Sequence, residues 1–243
     1  MWAIRARKRS VVMKWSQMRE VMRARKAGAS LGDIAVMKFA MYSGPAPQLN
    51  ARLKELGYPA CLEVDMDEMR RMPEGTVGRA FARHLDDHGL EPLHISDERK
   101  RRYADNPVAL RYTTTHDLFH VITGFSTTPA GELGLFAFMI GQGFAGGGPA
   151  ALRVARWVYT VLMPTHARGA WHNVRIGRAL GERAANLLEQ PLERFLREPL
   201  IEVRRRLGLP ETPEQGDIVP GHDSLLAKWL TPKPRAMPAT SAA

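Results

Sequence analysis

Two histidines at helical spacing and a glutamate that follows them are the residues of this sequence best suited to bind a metal ion. His116 and His120 flank Asp117 in the stretch His-Asp-Leu-Phe-His, and eleven residues separate His120 from Glu132. On a helix, side chains at i and i+4 lie one turn apart on the same face. Zinc, iron and cobalt accept imidazole nitrogen, and carboxylates commonly complete such a shell. We therefore predict a divalent metal on His116, His120 and Glu132, with Asp117 as a fourth ligand or as a group that supports the ligands.

The charge pattern around these residues supports the same prediction. Between Tyr112 and Leu152, Asp117 and Glu132 are the only Asp, Glu, Lys or Arg residues, although 25% of the whole sequence is charged. If that stretch is buried, two carboxylates without a local Lys or Arg are costly unless a positive charge lies between them. A metal ion would supply that charge.

Two consecutive helices must position the site. Asn106 and Thr128 are each followed by a proline, a pair of residues typical of a helix start. The first helix would continue to about Phe125 and the second would carry Glu132. If the chain turns as a hairpin between them, Glu132 returns beside His120, with an axial offset of roughly 4.5 Å at 1.5 Å per residue.

The same residues allow other interpretations. A histidine pair at this spacing often lies on a solvated face, and a glutamate near a helix start interacts favourably with the helix dipole. A zinc-protease site is disfavoured, because His-Glu-x-x-His chemistry uses glutamate as its general base where this sequence has Asp117. A metal hydrolase of another kind stays open.

The remaining pattern predicts an all-α fold. Helical periodicity covers residues 47–56, 75–88, 150–163, 164 to about 188, and 199–207, with glycine or proline at most of the ends. No stretch shows convincing strand alternation. We predict a basic amphipathic helix over 1–30, a single helical metal-binding domain over 31–230 and a disordered tail over 231–243.

Positive charge is concentrated at the N-terminus. The net charge is +10, and residues 1–26 hold nine basic side chains and one acid, so the remainder is nearly balanced. A helix there would place apolar residues on one face: Ile4, Val11, Trp15, Met18 and Met22. Three interpretations stay open: a helix lying on an anionic membrane surface, a transit peptide, or a first helix packed on the core.

Several classes of function are disfavoured by the rest of the sequence. We expect no nucleic-acid partner, because no zinc finger, RRM signature or similar module is present. The single cysteine, Cys61, excludes an intramolecular disulfide and a cysteine-rich zinc site. The weakly polar run over 133–151 contains six glycines, so we interpret it as buried rather than membrane-spanning.

The central motif resembles the signature of a known family. His-Asp-x-x-His followed by Glu132, with Pro-Ala-Gly-Glu-Leu-Gly-Leu-Phe-Ala-Phe around the glutamate, is similar to the ubiquinone (coenzyme Q) biosynthesis protein 4 family. Weaker similarity at 73–81 and 199–210 extends the resemblance over about residues 73–210. The resemblance implies an all-helical fold and a divalent metal, zinc with iron or cobalt as alternatives. The implied ligands are His116, Asp117, His120 and Glu132, and Asp117 is also the implied catalytic residue.

The resemblance also implies a substrate and a reaction. The substrate would have an aromatic head and a polyprenyl tail, and the reaction would be oxidative loss of its C1 carboxyl. The alternative is a non-catalytic prenyl-lipid-binding scaffold with a structural metal. Apolar side chains of the second helix would border a groove for the tail or, as we favour for most, fill the core: Leu135, Phe136, Phe138, Met139, Ile140 and Phe144.

The implied partners and location follow from that role. The expected partners are the prenylated aromatic substrate, other quinone-biosynthesis enzymes, the membrane surface and, as a homo-oligomer, a second copy of the chain. The expected location is cytoplasmic and peripheral to the inner membrane in a bacterium. In a eukaryote it is the matrix side of the mitochondrial inner membrane.

Overall fold

The computed structural model describes residues 15–42, 46–145, 152–154, 157, 160–161 and 164–213 of the 243-residue chain. Its helices are α1 (Trp15–Lys26), α2 (Leu31–Tyr42), α3 (Pro47–Leu56), α4 (Met66–Arg71), α5 (Val77–His88), α6 (Asp97–Arg102), α7 (Pro107–Thr123), α8 (Pro129–Gly141), α9 (Pro164–Arg183), α10 (Leu192–Phe195) and α11 (Leu200–Arg206), with a 3₁₀ turn at Leu187–Glu189. The described residues form no strand, and Thr76 and Pro199 make an isolated bridge. The predicted all-α class is confirmed. Within the described residues, no helix is both long and apolar enough to cross a membrane.

Helix α7 runs through the centre of the core. Thirteen of its 17 residues are buried. Leu118, Phe119 and Ile122 join the main apolar cluster, which also contains Phe81 and Leu85 of α5. Since packing surrounds α7 on most sides, the side chains near its C-terminal end are held in fixed positions.

Helices α8 and α9 lie close together because glycines face the contact. A Cβ added to Gly177 would lie 2.1 Å from the carbonyl oxygen of Gly134, and one added to Gly181 would lie 2.2 Å from that of Phe138. Glycine permits such an approach of one backbone to another. The contact fixes α8 against α9 and thereby fixes the position of Glu132.

Helix α1 packs on α2 with a different face from the predicted one. Val21 is buried against Ile34 and Met37, whereas Met22, predicted on the apolar face, is 49% exposed. Contact with α2 turns the helix so that Val21 points inward. Ile4 and Val11, and with them residues 1–14, lie outside the described residues.

Several helix boundaries differ from the prediction for local reasons. Helix α7 ends at Thr123 because Gly124 adopts a left-handed φ of 83°. Helix α5 begins at Val77, since the side chain of Thr76 caps it. Helix α9 ends at Arg183, where the side chain of Gln142 binds the carbonyls of the last turn. The predicted tail over 231–243 and much of the helix over 150–163 lie outside the described residues.

Candidate metal centre

The C-terminal half of α7 carries the two histidines. Asn106 caps the helix by accepting a hydrogen bond from the Ala109 N–H, and Pro107 occupies the first helical position, as predicted. His120 is buried, while the His116 side chain is 26% exposed. The pair therefore faces the outer edge of the core.

Glu132 lies in the first turn of α8. Thr128 caps this turn by accepting from the Gly131 N–H at 3.2 Å, and a Cβ added to Gly131 would lie 2.1 Å from the Ser126 carbonyl oxygen. This close turn brings α8 back toward α7. The Glu132 side chain remains 43% exposed.

The structure brings His116, His120 and Glu132 together. His120 Nε2 lies 3.3 Å from Glu132 Oε1, and His116 Nε2 lies 3.6 Å from Glu132 Oε2. One donor atom from each residue lies within 4.8 Å of the others, a grouping that could hold a metal ion. The hairpin inferred from the sequence thus places these three side chains at a common point.

Asp117 takes a different position from these three. Its Oδ1 lies 3.2 Å from Nδ1 of His116, on the side of the ring away from Glu132. A carboxylate on the second nitrogen of a ligating histidine fixes the ring and raises its basicity. The geometry therefore favours Asp117 as a group that orients His116, and its direct ligation stays a prediction.

The hydrogen bonding of the His120 ring indicates whether its second nitrogen could bind a metal. Its Nδ1 donates to the carbonyl oxygen of Phe125 at 2.8 Å, so in the neutral ring Nε2 carries a lone pair. That Nε2 is buried, lacks a hydrogen-bond partner and faces a carboxylate oxygen of Glu132. Two acceptors at 3.3 Å repel each other unless a cation or a proton lies between them. The donor set therefore fits a divalent metal.

The pKa values of His116 and Glu132 also indicate that a positive charge is favoured among these residues. Burial alone lowers the pKa of His116, but its contacts with the carboxylates of Asp117 and Glu132 outweigh burial and raise the pKa to about 10. Burial alone raises the pKa of Glu132, but the two histidines bring it down to about 2. In the protein without metal, a proton on His116 supplies the positive charge that the carboxylates require.

Comparison with known proteins supports the resemblance carried by the motif. Residues 60–213, more than half of the chain, match the family model described as Coenzyme Q (ubiquinone) biosynthesis protein Coq4. The chain belongs to this family. The matched region contains every residue of the candidate metal centre.

Curated relatives of this Coq4-family chain carry the same description. The ubiquinone biosynthesis protein COQ4, mitochondrial, of Yarrowia lipolytica is 27% identical over 198 residues, 76% of this chain and 72% of that protein. The corresponding protein of Talaromyces stipitatus is 31% identical over 163 residues, 62% of this chain and 52% of that protein. The chain spans about half the length, or less, of several other relatives that it matches.

A crystal structure shows the same fold. It is that of a protein from Nostoc punctiforme PCC 73102 assigned provisionally to ubiquinone biosynthesis. The two structures have a TM-score of 0.54 at 23% identity, over 80% of this chain and 89% of that chain. At this identity the likeness concerns the fold alone.

One histidine beside the candidate metal centre was not predicted from the sequence of this Coq4-family chain. His84, on α5, stacks on His120 with the ring centroids 5.7 Å apart, and its Nε2 is buried without a hydrogen-bond partner. Burial, with smaller contributions from His120 and His88, lowers the pKa of His84 to about 4. His84 lies 32 residues before His116 in the sequence, so only the packing of α5 on α7 reveals the contact.

The apolar residues of α8 serve mainly as core. Leu135, Phe138 and Met139 of α8, and Phe144 just after it, belong to the main buried cluster, while Phe136 and Ile140 are partly exposed. Most of the apolar side chains are therefore occupied by packing, in agreement with the interpretation favoured from the sequence.

Proposed function

We propose that this Coq4-family protein is a metal-dependent enzyme of ubiquinone biosynthesis that removes the C1 carboxyl from a polyprenylated hydroxybenzoate. The observation that carries the proposal is the buried, unpartnered Nε2 of His120, held opposite the carboxylate of Glu132. The printed names of the relatives and the family model support the pathway. The proposed metal-dependent chemistry is supported by the two imidazoles and one carboxylate that could bind the ion.

The residues of the cluster would divide the work between binding and orientation. His116, His120 and Glu132 would hold the metal, with zinc first and iron or cobalt as alternatives. A bound metal would supply a Lewis acid for the carboxylate or phenolate oxygen of the substrate. Asp117 would hold the His116 ring through Nδ1, and the carbonyl of Phe125 holds the His120 ring in the same way.

The site has an open side for a substrate. The side chains of Glu132 and His116 are 43% and 26% exposed, whereas that of His120 is 0% exposed. Catalytic metals keep one coordination position for substrate, while structural metals are enclosed by protein ligands. Three protein ligands with an accessible edge therefore favour catalysis over a purely structural ion.

Two products distinguish the two forms of the reaction. Simple decarboxylation converts the ring carboxyl to carbon dioxide and leaves a proton on C1. The oxidative form leaves a hydroxyl on C1, and it balances with dioxygen, two electrons and two protons consumed and one water released. We propose the oxidative form, with an external two-electron donor as co-reactant.

The proposed setting follows from the substrate. A polyprenyl tail confines the substrate to a membrane, so the enzyme would work at the bacterial inner membrane or at the matrix side of the mitochondrial inner membrane. Other quinone-biosynthesis enzymes would supply the substrate and take up the product. Whether the working form is a homo-oligomer follows from light scattering of the purified protein.

Purified protein would be tested for metal content and for turnover of a prenylated hydroxybenzoate with an isotopically labelled carboxyl. We expect about one metal per chain and release of labelled carbon dioxide, both lost in His120→Ala and Glu132→Gln. His94→Ala, a histidine exposed far from the cluster, is the matched control and should keep both. Mass spectrometry of the product decides between hydrogen and hydroxyl at C1.

The alternative is a non-catalytic prenyl-lipid-binding scaffold with a structural metal. In that case the parent protein binds metal and prenylated ligand but releases no labelled carbon dioxide, even with dioxygen and a reductant present. A parent protein that binds no zinc, iron or cobalt would overturn the metal-dependent proposal in both forms.

A further inference from the structure

We propose that a basic and aromatic face of the protein, formed by residues 153–154, 157 and 168–178, docks on an anionic lipid membrane. This basic–aromatic face comprises Arg153, Val154, Trp157, Arg168, Trp171 and Arg175. It lies on the far side of α9 from α8. Docking through this face requires no bound metal.

Helix α9 presents a continuous outward stripe. Arg168, Trp171, Arg175 and Arg178 follow one another at intervals of three and four residues and are all exposed, so they lie along one side of the helix. The opposite side is buried through residues such as Gly177 and Leu180. The stripe is therefore an external surface that combines cations with an aromatic ring.

The stretch that forms this surface contains no acidic residue of its own up to Gly181. From Leu133 to Gly181 the sequence contains five arginines and no Asp, Glu or Lys. Glu182 pairs with Arg178 through Nε at 2.8 Å. The rest of the protein outside residues 1–26 is nearly balanced in charge, so this stretch is a local concentration of positive charge.

Two shallow grooves connect the stripe with the preceding segment. One, of about 510 Å³, is lined by Arg168, Trp171 and Arg175 among others. The second, of about 370 Å³, is lined by Leu152, Arg153, Arg175 and their neighbours. Because Arg175 borders both grooves, the segment around Arg153 and the stripe on α9 form one surface.

The same surface exposes large apolar side chains. Of the seven large hydrophobic residues exposed among the described residues, four lie in this region: Val154, Trp157, Val161 and Trp171. Trp157 is 68% exposed, and exposed apolar groups clustered beside cations commonly mark an interaction surface. Tryptophan and arginine beside aliphatic side chains match the chemistry of a lipid headgroup region, where the rings enter the interface and the guanidinium groups meet phosphates.

The positive charge of this face favours an anionic membrane, rather than a second copy of the chain, as its partner. A two-fold contact would place the same surface on both subunits, and the arginines would face each other without acidic partners. Anionic lipid supplies the complementary charge and an apolar layer for Trp157 together. Docking here would leave α8, which carries Glu132, separated from the lipid by α9 alone.

Sedimentation of the full chain with vesicles tests this surface. We expect binding to vesicles of phosphatidylcholine with added phosphatidylglycerol, and much weaker binding to phosphatidylcholine alone. The triple variant Arg153→Glu/Arg168→Glu/Arg175→Glu should bind about 100-fold more weakly, from roughly a five-fold loss for each arginine taken from an anionic surface. High salt should weaken the parent in the same way.

A charge-matched control separates this surface from net charge. The variant Lys38→Glu/Arg71→Glu/Arg101→Glu reverses the same number of exposed cations elsewhere and should change binding at most a few-fold. Brominated lipids should quench tryptophan fluorescence in the parent, and the double variant Trp157→Phe/Trp171→Phe should remove most of that quenching. Far-ultraviolet circular dichroism shows that each variant is folded.

Three outcomes would overturn the proposal. The first is no vesicle binding by the parent. The second is full binding by the triple variant with loss of binding when Arg5, Arg7, Lys8 and Arg9 are reversed, which would assign docking to the N-terminal segment. The third is a parent dimer that the triple variant converts to monomers, which would assign the surface to a second copy of the chain.

Discussion

At the scale of single residues, the two histidines of the candidate metal centre are held by different partners. His116 has the carboxylate of Asp117 at Nδ1, whereas His120 has the backbone carbonyl of Phe125. A carboxylate partner makes an imidazole a stronger base than a carbonyl partner does. Substitution of Asp117 can therefore change the basicity of His116. The partner of His120 is a backbone carbonyl, which no substitution removes.

Asp117→Asn should weaken metal binding without abolishing it. The amide can still contact Nδ1 of His116 but no longer carries the charge that raises ring basicity, so we expect a 10- to 100-fold loss of affinity for zinc or cobalt, about the size of other effects of such supporting groups. Isothermal titration of the two proteins measures it. Glu132→Gln should cost more, because it replaces a charged ligand.

Equal losses in Asp117→Asn and Glu132→Gln would show that Asp117 binds the metal directly. Asp105→Asn provides the control, since Asp105 is exposed and pairs with Lys54 on the surface. That control should keep the parent affinity.

The sequence was sufficient to predict that His116, His120 and Glu132 meet, but not to predict what surrounds them. The spacing of His116 and His120 and the proline-marked start of α8 predicted a cluster with Glu132, because both signals are local. His84 carried no such signal. Its ring reaches His120 only because α5 packs on α7, and a contact between distant segments leaves no spacing in the sequence.

At the scale of helices, the packing of α8 on α9 decides where Glu132 lies. Alanine normally stabilises a helix relative to glycine, so Gly177→Ala would stabilise an exposed helix. Here the added methyl would lie 2.1 Å from the carbonyl oxygen of Gly134. The clash should reverse the sign and destabilise the protein by about 1–3 kcal/mol, as other overpacked sites do.

Urea unfolding of Gly177→Ala measures the change, and metal affinity should fall with it because α8 must move. Ala179→Ser, on the exposed side of the same helix, is the control and should stay within about 0.5 kcal/mol of the parent. A Gly177→Ala protein of parent stability would contradict the close approach of the two helices.

Arg111 joins α7 to the segment after α9. Its buried guanidinium binds Glu193 Oε1 at 2.6 Å and the carbonyls of Pro59, Leu188 and Gln190. Arg111→Met would leave those acceptors without a partner, so we expect a loss of about 3–5 kcal/mol in the free energy of unfolding. Thermal denaturation would register it as a fall of about 6–20 °C at roughly 2–4 °C per kcal/mol.

Arg205→Met is the matched comparison for Arg111→Met. Arg205 pairs with Glu202 and Glu211 at the surface, where such pairs contribute less than about 1 kcal/mol. If the two substitutions cost the same, Arg111 is not an anchor of the core.

The helices with strong local signals were the ones predictable from the sequence. Caps and glycine stops located α3, α5 and α7 to within about two residues, because these signals depend on neighbouring residues alone. For α8 only the start at Pro129 was predicted, since the helix ends at Gly141, before the glycine cluster at 146–148. Helices α4 and α6 span six residues each and consist mostly of charged side chains, so they offer no apolar period. Helix α2 is apolar on most sides, which hides its period.

At the scale of the whole molecule, the candidate metal centre brings together residues from helices that pack one on the next. His116 and His120 belong to the central helix α7, Glu132 belongs to α8, and α8 is held against α9 by glycine contacts. A metal bound to all three ligands would cross-link α7 and α8 at the edge of the core. Its effect should therefore extend beyond the ligands to the stability of the fold.

Metal binding should stabilise the folded protein by mass action, because the three ligands come together only in the folded chain. At a metal concentration about 100-fold above Kd, the gain is about 2.7 kcal/mol, or a rise in Tm of about 5–10 °C. Differential scanning calorimetry with and without chelator measures this, and His120→Ala should show no rise. Amide hydrogen exchange should slow at the end of α7 and the start of α8, since both are tied by the ion. A rise in Tm that persists in His120→Ala would mean that the metal binds elsewhere, and exchange slowed in α7 alone would mean that Glu132 does not take part.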